Sequence, residues 1–299
     1  MKTGLASGEK RPRRRVLPNT VKRRIENNLN DLSAKEWVRE TVSVFVQKGL
    51  GRNHKDAQIE REHPAPFSFQ DVGRLIEFFT KEKQSVLDPF VGVGSTLKAC
   101  ALLNRNGVGI ELVERYYQLA KQRLAKEVDK SLLRTARQVI VHADATEEIE
   151  KFDDHFFDFI VTSPPYWRIL HKVDHKAKQE RLNNNLDVKY SEDTRDLGNV
   201  ENYDDFVDKL SEFFENCSRI LKPKKYLCIV VSDFRHKNRY YMFHSDLANR
   251  LQRKYYDIKG VTILYQKHKR VFPYGYPYDY VPNIHHQYIL IVQNRANKK

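Results

Sequence analysis

Asp88-Pro89-Phe90-Val91-Gly92-Val93-Gly94-Ser95-Thr96 follows a short apolar run, Ser85 to Leu87, and opens a stretch with helical spacing, Ser95 to Leu103. A strand that passes through a glycine-rich turn into a helix is the first unit of a doubly wound α/β sheet. Glycine lets the backbone approach a ligand closely, and the helix start presents amides to a carboxylate or a phosphate. The phosphate-loop version of this turn is excluded, because the Gly-Lys-Ser/Thr ending is missing.

Outward from that turn, short apolar runs alternate with longer helical stretches, the pattern of a parallel sheet with crossover helices. Strands are expected at Ser85 to Leu87, Gly107 to Ile110, Gln138 to His142, Phe157 to Thr162, Tyr226 to Val231, Gly260 to Tyr265 and Gln287 to Val292. The helices between them are Ser95 to Leu103, Val113 to Ala125, Tyr203 to Leu221 and Phe243 to Lys254, each long enough for a right-handed crossover. A seven-stranded sheet follows, and ligands of such sheets bind beyond the carboxyl ends of the strands. The second strand ends in Glu111, where an acid can accept hydrogen bonds from ribose hydroxyls, and the third ends near Asp144, within reach of an adenine amino group. A Gly-x-Gly alone is equally a tight turn without a ligand. Three successive strand ends carrying glycine, acid and acid point to an adenosine-containing cofactor.

The 299 residues suffice for one large α/β domain, read here as residues 31–299 behind a basic arm at 1–30. Much of the net charge of +14 sits at this end: nine basic side chains, Arg13, Arg14 and Arg15 among them, face Glu9 alone in the first 24 residues. Such an arm suits a polyanionic partner, or serves as a solubility tail. Ser33 to Glu36 has capping-box spacing, and Trp37, Val38, Val42, Phe45 and Val46 recur at helical intervals, which predicts an amphipathic helix running to Gly49. A polar loop from Arg52 to Glu62, the proline-broken segment His63 to Phe67 and a second helix over Phe69 to Thr80 follow. No run approaches the roughly 18 apolar residues of a membrane span, and the basic start lacks a secretory apolar stretch. A cytoplasmic protein is expected, associated with the nucleoid in a prokaryote. Cys100, Cys217 and Cys228 lie far apart within apolar or helical patterns, which suits buried thiols rather than disulfides or a metal site.

The fourth strand ends in Ser163-Pro164-Pro165-Tyr166-Trp167. Two prolines fix a stiff extended backbone, and the serine side chain and the Pro164 carbonyl can both accept hydrogen bonds. An exocyclic base amine is a poor nucleophile because its lone pair is delocalised into the ring. An enzyme acting on it grips its protons and aligns it with a methyl donor, so positioning and electrostatics supply most of the rate. Tyr166 would stack on a base taken out of the duplex, with Trp167 extending that surface. By itself the tetrapeptide is equally a proline-rich turn. Its place after the fourth strand brings both reactants to one sheet edge.

Together these motifs resemble the S-adenosylmethionine-dependent amino-group DNA methyltransferases, which methylate N4 of cytosine or N6 of adenine. The likeness rests on Asp-Pro-Phe-x-Gly-x-Gly-Ser-Thr, on the upstream segment His63 to Phe67, on Ser-Pro-Pro-Tyr and on the late segment Pro282 to Val292. It implies a class I methyltransferase fold, Rossmann-like, with the last strand antiparallel to an otherwise mostly parallel sheet. It implies S-adenosylmethionine as cofactor, with Phe67 and Phe90 lining its methionine part and Gly92, Gly94 and Thr96 holding its amino-acid end. Asp88, Pro89 and Ser95 complete that motif. Serine before the two prolines is associated in that family with cytosine N4, and Asp or Asn with adenine N6. Attack through carbon 5 of cytosine needs a cysteine nucleophile, and no Pro-Cys pair exists.

Members with this motif order often carry a separate recognition domain at the carboxyl end, and none fits here. DNA reading then falls to the arm, the polar insert 168–202 and the loops 232–257 and 266–285. The first loop carries Arg235, Lys237 and Arg239, and the second Lys267, Lys269 and Arg270 before a run of aromatics. Cations neutralise phosphates and aromatics stack on displaced bases; tyrosines packed on prolines are the alternative. His171 and His175 have the spacing of helical metal ligands but no third ligand, so no metal is expected. The resemblance implies double-stranded DNA as the partner, and a cognate restriction endonuclease where the protein belongs to a restriction-modification pair. The rival functions are an adenine-N6 DNA methyltransferase, an RNA base-amine methyltransferase and a DNA-binding protein with a vestigial pocket.

Overall fold

The computed structural model describes residues 26–48, 54–63, 67–167, 193 and 195–295. In chain order its main elements are α1 (Ala34–Glu40), β1 (Val44–Val46), α2 (Phe69–Phe79), β2 (Ser85–Asp88), α3 (Ser95–Leu102) and β3 (Asn106–Glu111). There follow α4 (Glu114–Glu127), α5 (Lys130–Thr135), β4 (Gln138–His142), α6 (Ala145–Glu148) and β5 (Phe157–Thr162). The second half holds α7 (Tyr203–Ile220), β6 (Leu221–Val231), the hairpin β7 (Phe234–His236) and β8 (Arg239–Tyr241), α8 (Phe243–Leu251), β9 (Tyr256–Tyr265) and β10 (His286–Asn294).

The large sheet runs β1-β9-β10-β6-β5-β2-β3-β4. Strands β6, β5, β2, β3 and β4 are mutually parallel, and β10 lies antiparallel between β6 and β9. The seven strands read from sequence are all present, and the last one is reversed as expected. An eighth, β1, pairs parallel with β9 at the edge, Phe45 opposite Leu264.

That edge strand corrects the expected long amphipathic helix. The capping box forms, with Glu36 N donating to Ser33 Oγ and Ser33 N to Glu36 Oε2, but the helix stops at Glu40. Beyond it come Val42, Val44, Phe45 and Val46, and β-branched and aromatic side chains favour strand. Alternation then puts Phe45 inward and Val44 and Val46 outward.

Central strands are buried on both faces, so their residues divide by parity. Val86, Phe159 and Val161 face α2 and α3, where Val72, Ile76, Ala99 and Cys100 pack. Leu87, Ile160 and Ile229 face α7 and α8, meeting Phe206, Leu210, Phe214 and Leu247. The three cysteines are buried and unbridged. Among the described residues no helix is long and apolar enough to cross a membrane. With both faces covered, the carboxyl edge of β2, β3, β4 and β5 is left open for ligands.

Candidate active site

Asp88, at the end of β2, is a structural knot. It is 3% exposed and accepts hydrogen bonds from Thr96 Oγ1 on α3, from Thr162 Oγ1 on β5 at 2.6 Å and from the Phe90 amide at 3.1 Å. Burial pushes its carboxyl up to about 6, against these three donors. The chain then turns through Gly92 and Gly94, with φ of +53° and +81°. At Gly94 the left-handed backbone starts α3, and a Cβ there would come within 3.1 Å of Ala120 Cβ. At Gly92 it would come within 3.3 Å of His63 Nε2. Both positions need the missing side chain.

Two hydroxyls expected near the cofactor face inward. Thr96 gives its hydrogen to Asp88, and Ser95 Oγ accepts Nη1 of Arg123 at 2.8 Å. Arg123 is fully buried, with Nη2 2.8 Å from Glu60 and Nε 3.0 Å from Glu127. Lys98 joins the same cluster, 2.7 Å from Glu127 and 3.2 Å from Asp56. This charged cluster fastens residues 55–62 onto α3 and α4, and so carries His63 to the mouth of the glycine turn, edge-on to Tyr116 at 4.7 Å.

Glu111 ends β3 and is 8% exposed. Its two oxygens accept the Gly92 amide at 2.9 Å and the Val113 amide at 2.8 Å, which fixes the carboxylate while leaving further lone pairs. Burial, the two amide donors notwithstanding, pushes it up to about 7. Asp144 caps α6 by accepting the Thr146 amide at 2.8 Å.

These groups open on one cleft of about 720 Å³, shared by Gly92, Glu111, Asp144, Ser163, Pro164 and Pro165. A smaller cleft of about 330 Å³ joins it at His63, Phe90, Gly92 and Ser163 and is backed by Phe67, Asp88 and Thr96. The glycine turn and the double-proline loop therefore face the same space.

In that loop Ser163 Oγ donates to the Val230 carbonyl on β6 at 3.1 Å. Tyr166 is half-buried; its phenol oxygen accepts Nε2 of Gln287 on β10 at 2.9 Å and meets the Ser163 hydroxyl, and burial pushes the phenol above its usual range. Trp167 is not an open stacking surface. It is 5% exposed, its Nε1 donates to Val200 O at 2.8 Å, and its ring packs among Tyr203, Phe234, His236 and Tyr241. A buried indole needs an acceptor for its N–H, and the end of the insert supplies one.

Several lining residues stand outside the motifs that the sequence marks. Arg195, Asp196 and Leu197 also line the large cleft, and Gly198 packs on the double-proline loop, where a Cβ would lie 3.0 Å from Tyr166 O. The signal was the turn Asp196-Leu197-Gly198, with Gly198 N on Asp196 Oδ1 at 2.9 Å. Of the expected cations, Lys237, Arg239, Lys267, Lys269 and Arg270 are exposed, while Arg235 Nη1 donates to Pro282 O at 2.9 Å. Arg13, Arg14, Arg15, Pro64 to Pro66, His171, His175 and most of the insert lie outside the described residues.

Leaving aside the added edge strand β1, the strand order, with the reversed last strand β10 inserted between β6 and β9, is that of class I S-adenosylmethionine-dependent methyltransferases, and the cleft lies at the edge where that fold takes its ligands. Within that class the chain belongs to the N6/N4 DNA methylase family, which it matches over residues 9–122 and 157–299. It is 31% identical over 99 residues to the type II methyltransferase M.BglII of Bacillus subtilis, covering 32% of this chain and 27% of that protein. It is 30% identical over 129 residues to the type II methyltransferase M.MthZI of Methanothermobacter thermautotrophicus, covering 43% of this chain and 36% of that one. The matched stretches thus span about a third of these relatives or less. Among solved structures, TrmN from Thermus thermophilus is similar over 80% of this chain and 53% of its own, at 14% identity and a TM-score of 0.47.

Proposed function

We propose that the protein transfers the methyl group of S-adenosylmethionine to N4 of cytosine in double-stranded DNA. The carrying observation is that Ser163 spends its own hydroxyl hydrogen on Val230 O and so faces the cleft as an acceptor, the partner an amine requires. Family membership supports the class of reaction, and serine rather than Asp or Asn at this position supports cytosine.

The residues fit the cofactor. Gly92 keeps a bare, left-handed backbone beside Phe67 and Phe90, the left-handed Gly94 starts α3 behind it, and Glu111 and Asp144 offer carboxylates along the larger cleft for a ribose and an adenine amine. When bound, it supplies a methyl group on positively charged sulfur. Ser163 Oγ and the Pro164 carbonyl hold the protons of the amine, which turns the nitrogen lone pair out of conjugation toward that methyl. Tyr166 receives the face of the extruded base. Both carboxylates and the stiff proline backbone are set before the substrate arrives, so little reorganisation remains for the reaction itself. Lys237, Arg239, Lys267, Lys269, Arg270 and the arm with Arg13, Arg14 and Arg15 neutralise phosphates, and Arg235 braces the loop between them.

The test is the nucleoside content of duplex DNA after incubation with the protein and methyl-labelled S-adenosylmethionine. Label in N4-methylcytosine is expected. Label confined to N6-methyladenine would overturn the choice of base but not the chemistry, and preference for tRNA in direct competition would overturn DNA as substrate.

A further inference from the structure

The connection from β9 to β10 is built outward. Tyr276, Tyr278 and Tyr280 are 81%, 94% and 85% exposed, and Val271 and Phe272 stand open beside them at 68% and 46%. Rings held in water in such a row mark a surface that something else covers. The backbone keeps them there. Asn283 closes the base of the loop, accepting the Phe272 amide at 2.9 Å and donating to the Phe272 carbonyl at 2.8 Å. At the tip, the amides of Tyr278 and Asp279 both donate to Gly275 O, at 2.7 and 2.8 Å. Gly275 has φ of +76°, and a Cβ there would overlap the Asp279 carbonyl. Arg235 on β7 fastens the returning end through Pro282 O.

The place of this finger is as specific as its build. It leaves β9 and rejoins β10 at the sheet edge that carries the cleft, and Gln287, the second residue of β10, is bonded to Tyr166. Lys267, Lys269 and Arg270 are exposed at its root. Rigid aromatic rings flanked by cations match stacked bases between phosphates, whereas an apolar protein face would have no use for the cations.

We infer that the finger is a wedge: on duplex DNA one of Tyr276, Tyr278 and Tyr280 enters the base stack and occupies the position that the target base vacates. This rests on the DNA methyltransferase reading above. Drawing a base out costs its pairing and stacking, and a ring that stacks on the neighbours left behind offsets part of that cost. Where the target has no pairing partner to lose, extrusion costs less and the rate depends far less on that offset.

Two duplexes distinguish the roles: one carrying a mapped methylation site, and the same duplex with an abasic spacer opposite the target. Tyr276→Ala/Tyr278→Ala/Tyr280→Ala is expected to methylate the paired duplex about tenfold more slowly than wild type, and the abasic duplex within about twofold of it. The triple Tyr→Phe variant, which keeps the rings, holds the wild-type rate on both. Equal losses on the two duplexes, or an unchanged rate on the paired one, would overturn the wedge and leave the methyltransferase reading intact. No transfer by the wild type to either duplex would overturn that reading, and the wedge with it.

Discussion

Gln287 Nε2 donates to the phenol oxygen of Tyr166 at 2.9 Å, across 121 residues of chain. Tyr166 in turn meets the hydroxyl of Ser163, whose hydrogen goes to Val230 O. Gln287 and Val230 stand on β10 and β6, which are paired, Tyr288 opposite Val231. The double-proline loop is thus strung between two adjacent strands of the sheet, and the antiparallel strand becomes part of how the loop is aimed.

Gln287→Ala removes one end of that string without touching the cleft. A hydrogen bond of this kind contributes about 1 kcal/mol, so kcat for methyl transfer is expected to fall about fivefold, with KM for S-adenosylmethionine unchanged. Steady-state kinetics checks the split; a rise in the cofactor KM with kcat intact would contradict it.

Asp88 and Glu111 give a pH dependence whose sign follows from their direction. Burial raises them to about 6 and about 7, from 3.8 and 4.5. In that window the folded protein holds protons that the unfolded chain has released. Their contribution to stability is complete below the unfolded values and is lost as pH rises through the folded ones. The stability difference between wild type and Glu111→Gln, measured by urea unfolding without cofactor, is therefore expected to move against the wild type between about pH 5 and pH 8. A difference independent of pH would contradict the raised carboxyl.

Arg123 is the buried centre of the charged cluster. Arg123→Met strips Glu60 of its ion-pair partner and leaves Glu127 with Lys98 alone. Breaking a buried pair from one side costs about 3–5 kcal/mol, read as a lower urea midpoint. Because the cluster fastens residues 55–62, protease cleavage in that stretch should quicken as well. Unchanged cleavage and midpoint would mean that the segment is held by other contacts.

The cations of the finger's root are tested by salt. If Lys267, Lys269 and Arg270 neutralise phosphates, removing each lowers the steepness of log K against log salt for duplex DNA by about 0.9. Slopes that stay the same would take these side chains off the DNA.

Much of this was legible in the sequence because the governing rules are local. The glycine turn, the strand-end acids and the double proline each follow an apolar run, and a parallel sheet gathers its strand ends at one edge. Other features depend on partners far along the chain. Val44 to Val46 became a strand because β9 offered an open edge, and Trp167 turned inward because Val200 offered a carbonyl. The inward hydroxyls of Ser95 and Thr96 were hidden for the same reason, since nothing near them in sequence announces Arg123 or fixes their rotamers toward Asp88. The tyrosines of the finger could be counted from sequence, but only the clamp by Asn283 distinguishes presentation from packing.

In the proposed function Ser163 accepts the protons of a cytosine amine. Methylated positions mapped across the genome of a host expressing the protein, beside one expressing Ser163→Ala, test it most directly. N4-methylcytosine in a defined sequence context is expected with the wild type, and its loss with the variant. N6-methyladenine as the only product, or an undiminished N4-methylcytosine signal from Ser163→Ala, would contradict it.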